Sequence, residues 1–168
     1  ELERLAFFDQ LTGVYNRRKF EELLKNEISR ISRYHQPASI VLIDIDNFKR
    51  INDHYGHPVG DRVLQEFAGL LKKNIRDTDS ISRWGGEEFL ILLPNTALEE
   101  AKKTAEKLRQ IVENYEQLNQ DSEIHLTASF GVASLPADRQ NALEIAYKNA
   151  DDAMYLAKEN GRNRVEAK

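Results

Sequence analysis

Asp79-Ser80-Ile81-Ser82-Arg83-Trp84-Gly85-Gly86-Glu87-Glu88-Phe89-Leu90-Ile91-Leu92-Leu93 is the stretch from which the fold is read. Its two extended segments, 79–84 and 88–93, flank Gly85-Gly86, and two apolar runs parted by Gly-Gly predict a β-hairpin. Upstream, Ser39-Ile40-Val41-Leu42-Ile43 is a β-branched run that ends at Asp44 and predicts a buried central strand. Downstream, Ile124, Leu126, Ala128 and Phe130 alternate, which predicts a strand with one buried face.

Between these lie helical patterns. Asn16 is placed to cap a helix whose inner face is Phe20, Leu23, Leu24, Ile28 and Ile31. A short helix begins near Phe48 and stops at Gly56, and a longer one buries Val59, Val63, Leu64, Phe67, Leu70, Leu71 and Ile75. Leu98, Ala101, Ala105, Leu108 and Val112 mark the next. The last runs from the cap Asn141 through Leu143, Ala146, Ala150, Ala153 and Ala157 to a stop at Gly161, with Arg164-Val165 as a short edge strand. The order is α-β-α-α-β-β-α-β-α-β, whose kernel β-α-β-β-α-β predicts an α+β, ferredoxin-like fold with an antiparallel-containing sheet of about five strands flanked by helices. This arrangement is expected to gather the helices on one face and leave the other partly free. It also sets Asp44 and the Gly85–Glu88 turn on neighbouring strands.

At 168 residues the chain suits a single domain over 1–168, with 1–8 expected to be the end of an upstream helix or linker. The first residue is Glu1 rather than Met, so a domain of a longer protein is the expectation. A net charge of −4 gives no electrostatic reason to expect nucleic acid or an anionic membrane as a partner. Cysteine is absent, which excludes disulfides, zinc–thiolate sites and thiol nucleophiles. No apolar run approaches the roughly 18–20 residues that span a bilayer. The domain is expected to be cytoplasmic, within a parent that could itself be membrane-anchored.

Asp44 and Asp46 end a strand two residues apart, and Glu87-Glu88 leave a turn whose glycines let a ligand approach the backbone. Carboxylates that converge repel one another unless a cation sits between them. Oxygen donors without His or Cys suit Mg²⁺, with Mn²⁺ as an alternative. The plain competing account is a solvated strand end and hairpin tip. Asn52, Asp53, His57 and Asp61 form a polar set able to read a base edge, while Lys158 and Arg162 could hold phosphates. Basic groups at that place also complement a helix dipole.

Arg83-Trp84-Gly85-Gly86-Glu87-Glu88-Phe89 resembles the signature of the GGDEF family of bacterial diguanylate cyclases, in its GGEEF form. The resemblance extends to Asp9-Gln10-Leu11-Thr12-Gly13-Val14-Tyr15-Asn16-Arg17-Arg18, with Val14 for the usual Leu, and to Asp44–Asp53 and Tyr55–Asp61. It continues through Phe130–Ala133, Ala150–Lys158 and Gly161-Arg162-Asn163. It implies a palm-type nucleotidyl cyclase that condenses two GTP into cyclic di-GMP with release of two pyrophosphates.

By the same resemblance, Asp44, Glu87 and the Ile45 carbonyl would be metal ligands. Glu88 would be either the general base for the 3′-hydroxyl or a second metal ligand. Asn52 and Asp61 would bond the guanine, and Phe48, Lys49, Lys158 and Arg162 the triphosphate, with His57 lining the site. Relatives that also accept ATP carry a residue such as Ser at the Asp61 position, so Asp61 implies GTP. One GTP per domain implies a homodimer. Leu2, Leu5 and Phe8 could continue an upstream coiled coil. Arg76-Asp77-Thr78-Asp79 resembles the family's R-x-x-D site, where cyclic di-GMP, the product, acts as inhibitor; a helix-terminal Arg before a turn is the structural alternative. The rival function is a non-catalytic GTP or cyclic di-GMP sensor of the same fold; retention of Asp44, Glu87 and Glu88 argues for the enzyme.

Overall fold

An unbroken run of buried residues, β1 (Ala38–Ile45), forms the middle of a five-stranded mixed sheet. The structure is a computed structural model and describes residues 1–116, 124–137 and 140–168. β1 pairs antiparallel with β3 (Glu88–Pro94) on one side and β4 (Ala128–Ser134) on the other. β2 (Ser80–Arg83) lies outside β3, and β5 (Val165–Ala167) runs parallel to β4 at the far edge. The order β2-β3-β1-β4-β5 contains the ferredoxin-like kernel expected from sequence.

The helices are α1 (Leu2–Phe7), α2 (Arg17–Tyr34), α3 (Phe48–Tyr55), α4 (His57–Lys73), α5 (Leu98–Glu113) and α6 (Ala142–Glu159). They cover both faces of the sheet, which corrects the expectation of a partly free face. Ile40, Leu42, Leu90 and Leu92 share one core with Phe20 and Leu24 of α2 and Ala150 and Met154 of α6. Val41, Ile43, Phe89 and Ile91 share the other with Phe67 and Leu71 of α4 and Ala105 and Leu108 of α5. The physical cause is visible in β1 itself: apolar residues occupy both parities, as a strand buried on two faces requires.

β4 departs from expectation for the same reason. It starts at Ala128, with Ile124 and Leu126 buried ahead of it, and residues of both parities are buried within it. A Cβ added at Gly131 would lie 2.1 Å from the Ala150 carbonyl oxygen and 2.6 Å from the Met154 nitrogen. Glycine here lets the α6 backbone settle directly on the strand, and the alanine face of α6 (Ala146, Ala150, Ala153, Ala157) is the matching surface.

Asn16 caps α2 as expected, its side-chain oxygen accepting from the Lys19 amide at 2.9 Å. Asn141 makes no such bond; it takes a left-handed conformation (φ 65°) before α6. Among the described residues no helix is long and apolar enough to cross a membrane.

Candidate active site

The β1–β3 register sets Asp44 directly opposite Glu88, and the β1–β4 register sets Asp44 opposite Ser129. Asp44 is buried, while Glu87 and Glu88 are half-buried in and after the hairpin turn. The Lys158 ammonium, from the last turn of α6, donates to an Asp44 carboxylate oxygen at 2.5 Å. Burial pushes the Asp44 carboxyl above its ordinary range, and Lys158 pulls against that shift. Burial and then the Asp44 charge push Glu87 up. Glu88 is raised by burial, then by Asp44 and by Asp151 of α6. Three partly dehydrated carboxyls thus face one another with one ammonium among them, an arrangement short of positive charge.

The donor set fits a hard cation, because every candidate ligand is oxygen. As the side chains lie, no group of three His, Cys, Asp or Glu residues among those described is gathered closely enough to hold an ion. An ion here would therefore draw on one or two carboxylates and a backbone carbonyl, completing its shell from phosphate oxygens and water.

The two glycines are not there for the turn. Neither Gly85 nor Gly86 has a positive φ, and the hairpin closes through the Trp84 amide, which donates to the Glu88 carbonyl at 2.8 Å. A Cβ at Gly86 would meet nothing within 4 Å, and one at Gly85 would touch the Glu88 carboxylate at 3.4 Å. What glycine secures is bare backbone beside the carboxylates.

Asp46 acts on Asp44 through its charge, which after burial helps to raise it, but its own oxygens are bonded elsewhere. Its oxygens accept from the Thr127 hydroxyl (2.7 Å), the Ser129 hydroxyl (2.7 Å) and the Asn163 amide (3.0 Å), so both are engaged inside the protein.

α3 follows β1 after two residues and carries Asn52 back toward α4. A Cβ at Gly60 would lie 1.8 Å from the Asn52 side-chain oxygen, so the carboxamide rests against the bare Gly60 backbone, next to Asp61. Asp61, His57 and Lys49 are exposed. Phe48 is buried in the core beneath α3, so its part toward a phosphate could only be played by its backbone amide. Arg162 is exposed, and its charge acts on Asp44 together with that of Lys158.

Arg76 and Asp79 stand elsewhere. Glu88 and Pro94 are the two ends of β3, about 20 Å apart at strand rise, and Arg76 donates to the Pro94 carbonyl at 3.2 Å. The Arg76 guanidinium also donates to Asp79 (2.9 Å) and to the Thr96 hydroxyl (2.8 Å). Asp79 further accepts from the Arg76 amide at 2.9 Å, closing the turn before β2. A cavity of about 220 Å³ lined in part by Phe8, Tyr15, Lys72 and Asp77 adjoins this pair.

Several neighbours of the site escaped the sequence reading. Tyr147 and Asp151 lie on α6 at helical spacing from Lys158, and their registry with it was the signal available. The Trp84 indole has the Arg17 guanidinium 4.3 Å from its centroid and the Tyr147 ring at 5.5 Å. Arg83 donates to the Gly86 carbonyl at 2.8 Å and reaches Asp9 at 3.4 Å, tying the N-terminal turn to the hairpin.

The description "Diguanylate cyclase, GGDEF domain" matches residues 6–164. The chain is 42% identical over 166 residues to the response regulator PleD of Caulobacter vibrioides, covering 98% of this chain and 36% of PleD. It thus spans well under half the length of that relative. Its fold matches the active GGEEF domain of a diguanylate cyclase from Vibrio cholerae with a TM-score of 0.84 and 40% identity, over 94% of this chain and 97% of that one. The coiled coil and GGDEF domain of DgcB from Caulobacter crescentus, solved in complex with c-di-GMP, matches with a TM-score of 0.91 and 28% identity, over 99% of this chain and 88% of that one.

Proposed function

This chain belongs to the GGDEF diguanylate cyclase family, and from that premise we propose that it is a cyclase half-site that joins two GTP into cyclic di-GMP and releases two pyrophosphates. The observation that carries the proposal is the Asp44–Glu88 pairing, with Glu87 beside it and Lys158 on Asp44.

Asp44, Glu87 and the Ile45 carbonyl would hold Mg²⁺ or Mn²⁺, which when bound neutralises phosphate charge and lowers the barrier to ionising an attacking hydroxyl. Lys158 and Arg162 place positive charge where charge develops on the phosphate oxygens. The amides at the start of α3, with Lys49, offer the helix end that favours anions. Asn52 and Asp61 read the guanine: a carboxylate accepts from N1–H and N2–H₂, while an amide supplies a donor and an acceptor. His57 stands one turn from Asp61 on the same side of α4. Glu88, whose carboxyl is raised above its ordinary range by burial and then by Asp44, is suited to take a proton from the 3′-hydroxyl, and serves as a second metal ligand in the other version of the mechanism.

Attack must cross from one bound GTP to the α-phosphate of another, so two domains face each other across a two-fold axis. Leu2 and Leu5, exposed on α1, support a helical dimeriser ahead of the domain. Arg76 and Asp79 would form an inhibitory site for the product; the distance from Glu88 makes that control allosteric in kind.

Incubation with GTP and Mg²⁺ tests the reading. Cyclic di-GMP should form, and Glu88→Ala should bind GTP yet make none. Equal turnover by Glu88→Ala would contradict it.

A further inference from the structure

Arg162 and Asn163 both adopt left-handed backbone conformations, φ 63° and 45°, just after α6. Consecutive non-glycine residues in that region are costly, and such strain persists only where the surroundings enforce it. Two constraints are on hand. At the helix end, the Gly161 amide donates to the Lys158 carbonyl (3.3 Å) and the Arg162 amide to the Ala157 carbonyl (2.9 Å), which fixes the chain reversal. Beyond it, Asn163 is gripped on every polar atom of its amide side chain. Its carbonyl oxygen accepts from Arg109 at 3.0 Å and its NH₂ donates to Glu113 at 3.0 Å, both on α5. Its backbone N–H donates to Asp46 at 3.0 Å.

Asp46 is the anchor of this chain of contacts. It follows β1 directly, two residues after Asp44, and is locked by the Thr127 and Ser129 hydroxyls. Arg109 is itself held by Glu106 at 2.7 Å and by Glu113. The result is a rigid bracket from α5 through Asn163 to the end of β1, with Arg162 projecting from its strained turn into solvent near Asp44.

We propose that Asn163 is a positioning residue, which holds the Arg162 guanidinium over the phosphate end of the site by pinning its turn to Asp46 and to α5. This rests on the reading of Asp44, Lys158 and Arg162 as a triphosphate site. A flexible arginine can reach a phosphate unaided, but it surrenders side-chain and backbone freedom on binding; a bracketed one has surrendered the backbone share already.

The test is a double-mutant cycle in the full chain, reading affinity for GTP·Mg²⁺ and for inorganic triphosphate, and the KM and kcat of turnover. Asn163→Ala should weaken both ligands by about ten-fold, the scale of one charge-assisted hydrogen bond, and should raise KM more than it lowers kcat. In an Arg162→Ala background the same change should cost less than about two-fold, since the group it positions is gone. Asn163→Gly, which tolerates the left-handed backbone but loses the α5 grip, guards against misfolding of the alanine variant and should give an intermediate loss. A full ten-fold loss in both backgrounds, or unchanged affinity in Asn163→Ala and Asn163→Gly, overturns the inference while leaving the cyclase reading intact. A parent that binds GTP but forms no cyclic di-GMP overturns the cyclase reading, and the affinity cycle still decides on Asn163. A parent that binds neither ligand overturns both.

Discussion

Lys158 reaches across from the last turn of α6 to lie 2.5 Å from the Asp44 carboxylate, two groups separated by 114 positions in the chain. Gly131 makes the contact geometrically available by letting α6 sit on β4, and β4 is the direct neighbour of β1. Asp44 is buried and Lys158 about one-third exposed, so removing the ammonium leaves a dehydrated charge without its partner. Lys158→Met should therefore lower Tm measurably, and adding Asp44→Asn should recover most of the loss. Additive losses in the double variant would show that the pair is not energetically coupled.

The raised carboxyls set the sign of a pH effect. Asp44, Glu87 and Glu88 hold protons in the folded chain at pH values where the unfolded chain has released them, so their contribution to stability falls as pH rises above the ordinary carboxylate range. Glu88→Gln should raise Tm at pH 7 by about 2–4 °C if about 1 kcal/mol of repulsion is relieved. Well below pH 4, where both states are protonated, the difference should vanish. Thermal melts across that range check it, and a Glu88→Gln protein less stable than the parent at pH 7 would count against the convergence of charge.

Gly60→Ala should damage base recognition without touching a polar residue. The added methyl would displace the Asn52 side-chain oxygen, which lies only 1.8 Å from its position. GTP affinity should drop about ten-fold, the value of a lost hydrogen bond with an unpaired group left behind, while affinity for inorganic triphosphate holds. Equal losses for the two ligands would point to a general disturbance of α3 and α4.

Arg76→Ala should relieve inhibition by added cyclic di-GMP and leave the initial rate of GTP conversion near that of the parent. Asp79 then loses the guanidinium but keeps the residue 76 amide, so the turn should survive. Inhibition as strong as the parent's would remove the assignment.

The fold was legible because its signals are local. Gly-Gly between apolar runs marked the hairpin, and the β-branched run before Asp44 marked the central strand, each needing only pattern and period. The second covered face was harder to see, since it depends on α2 and α6 finding a sheet whose strands carry apolar residues at both parities. Asp44, Glu87 and Glu88 were legible as a cluster because neighbouring strands bring them together. Asp46 was only half legible: spacing put it near Asp44, on which its charge acts, but its partners Thr127, Ser129 and Asn163 come from segments far along the chain, and no local pattern announces them. The burial of the Phe48 side chain beneath α3 was likewise not announced by the sequence block around it.

The central claim is that the Asp44–Glu88 end of the sheet is half of a two-GTP site. Its most direct test measures pyrophosphate and cyclic di-GMP together from GTP and Mg²⁺, over a range of protein concentration. The expected result is two pyrophosphates per cyclic di-GMP, with specific activity rising with concentration until the dimer is saturated. GTP binding without either product, in a sample shown to be dimeric, would contradict it.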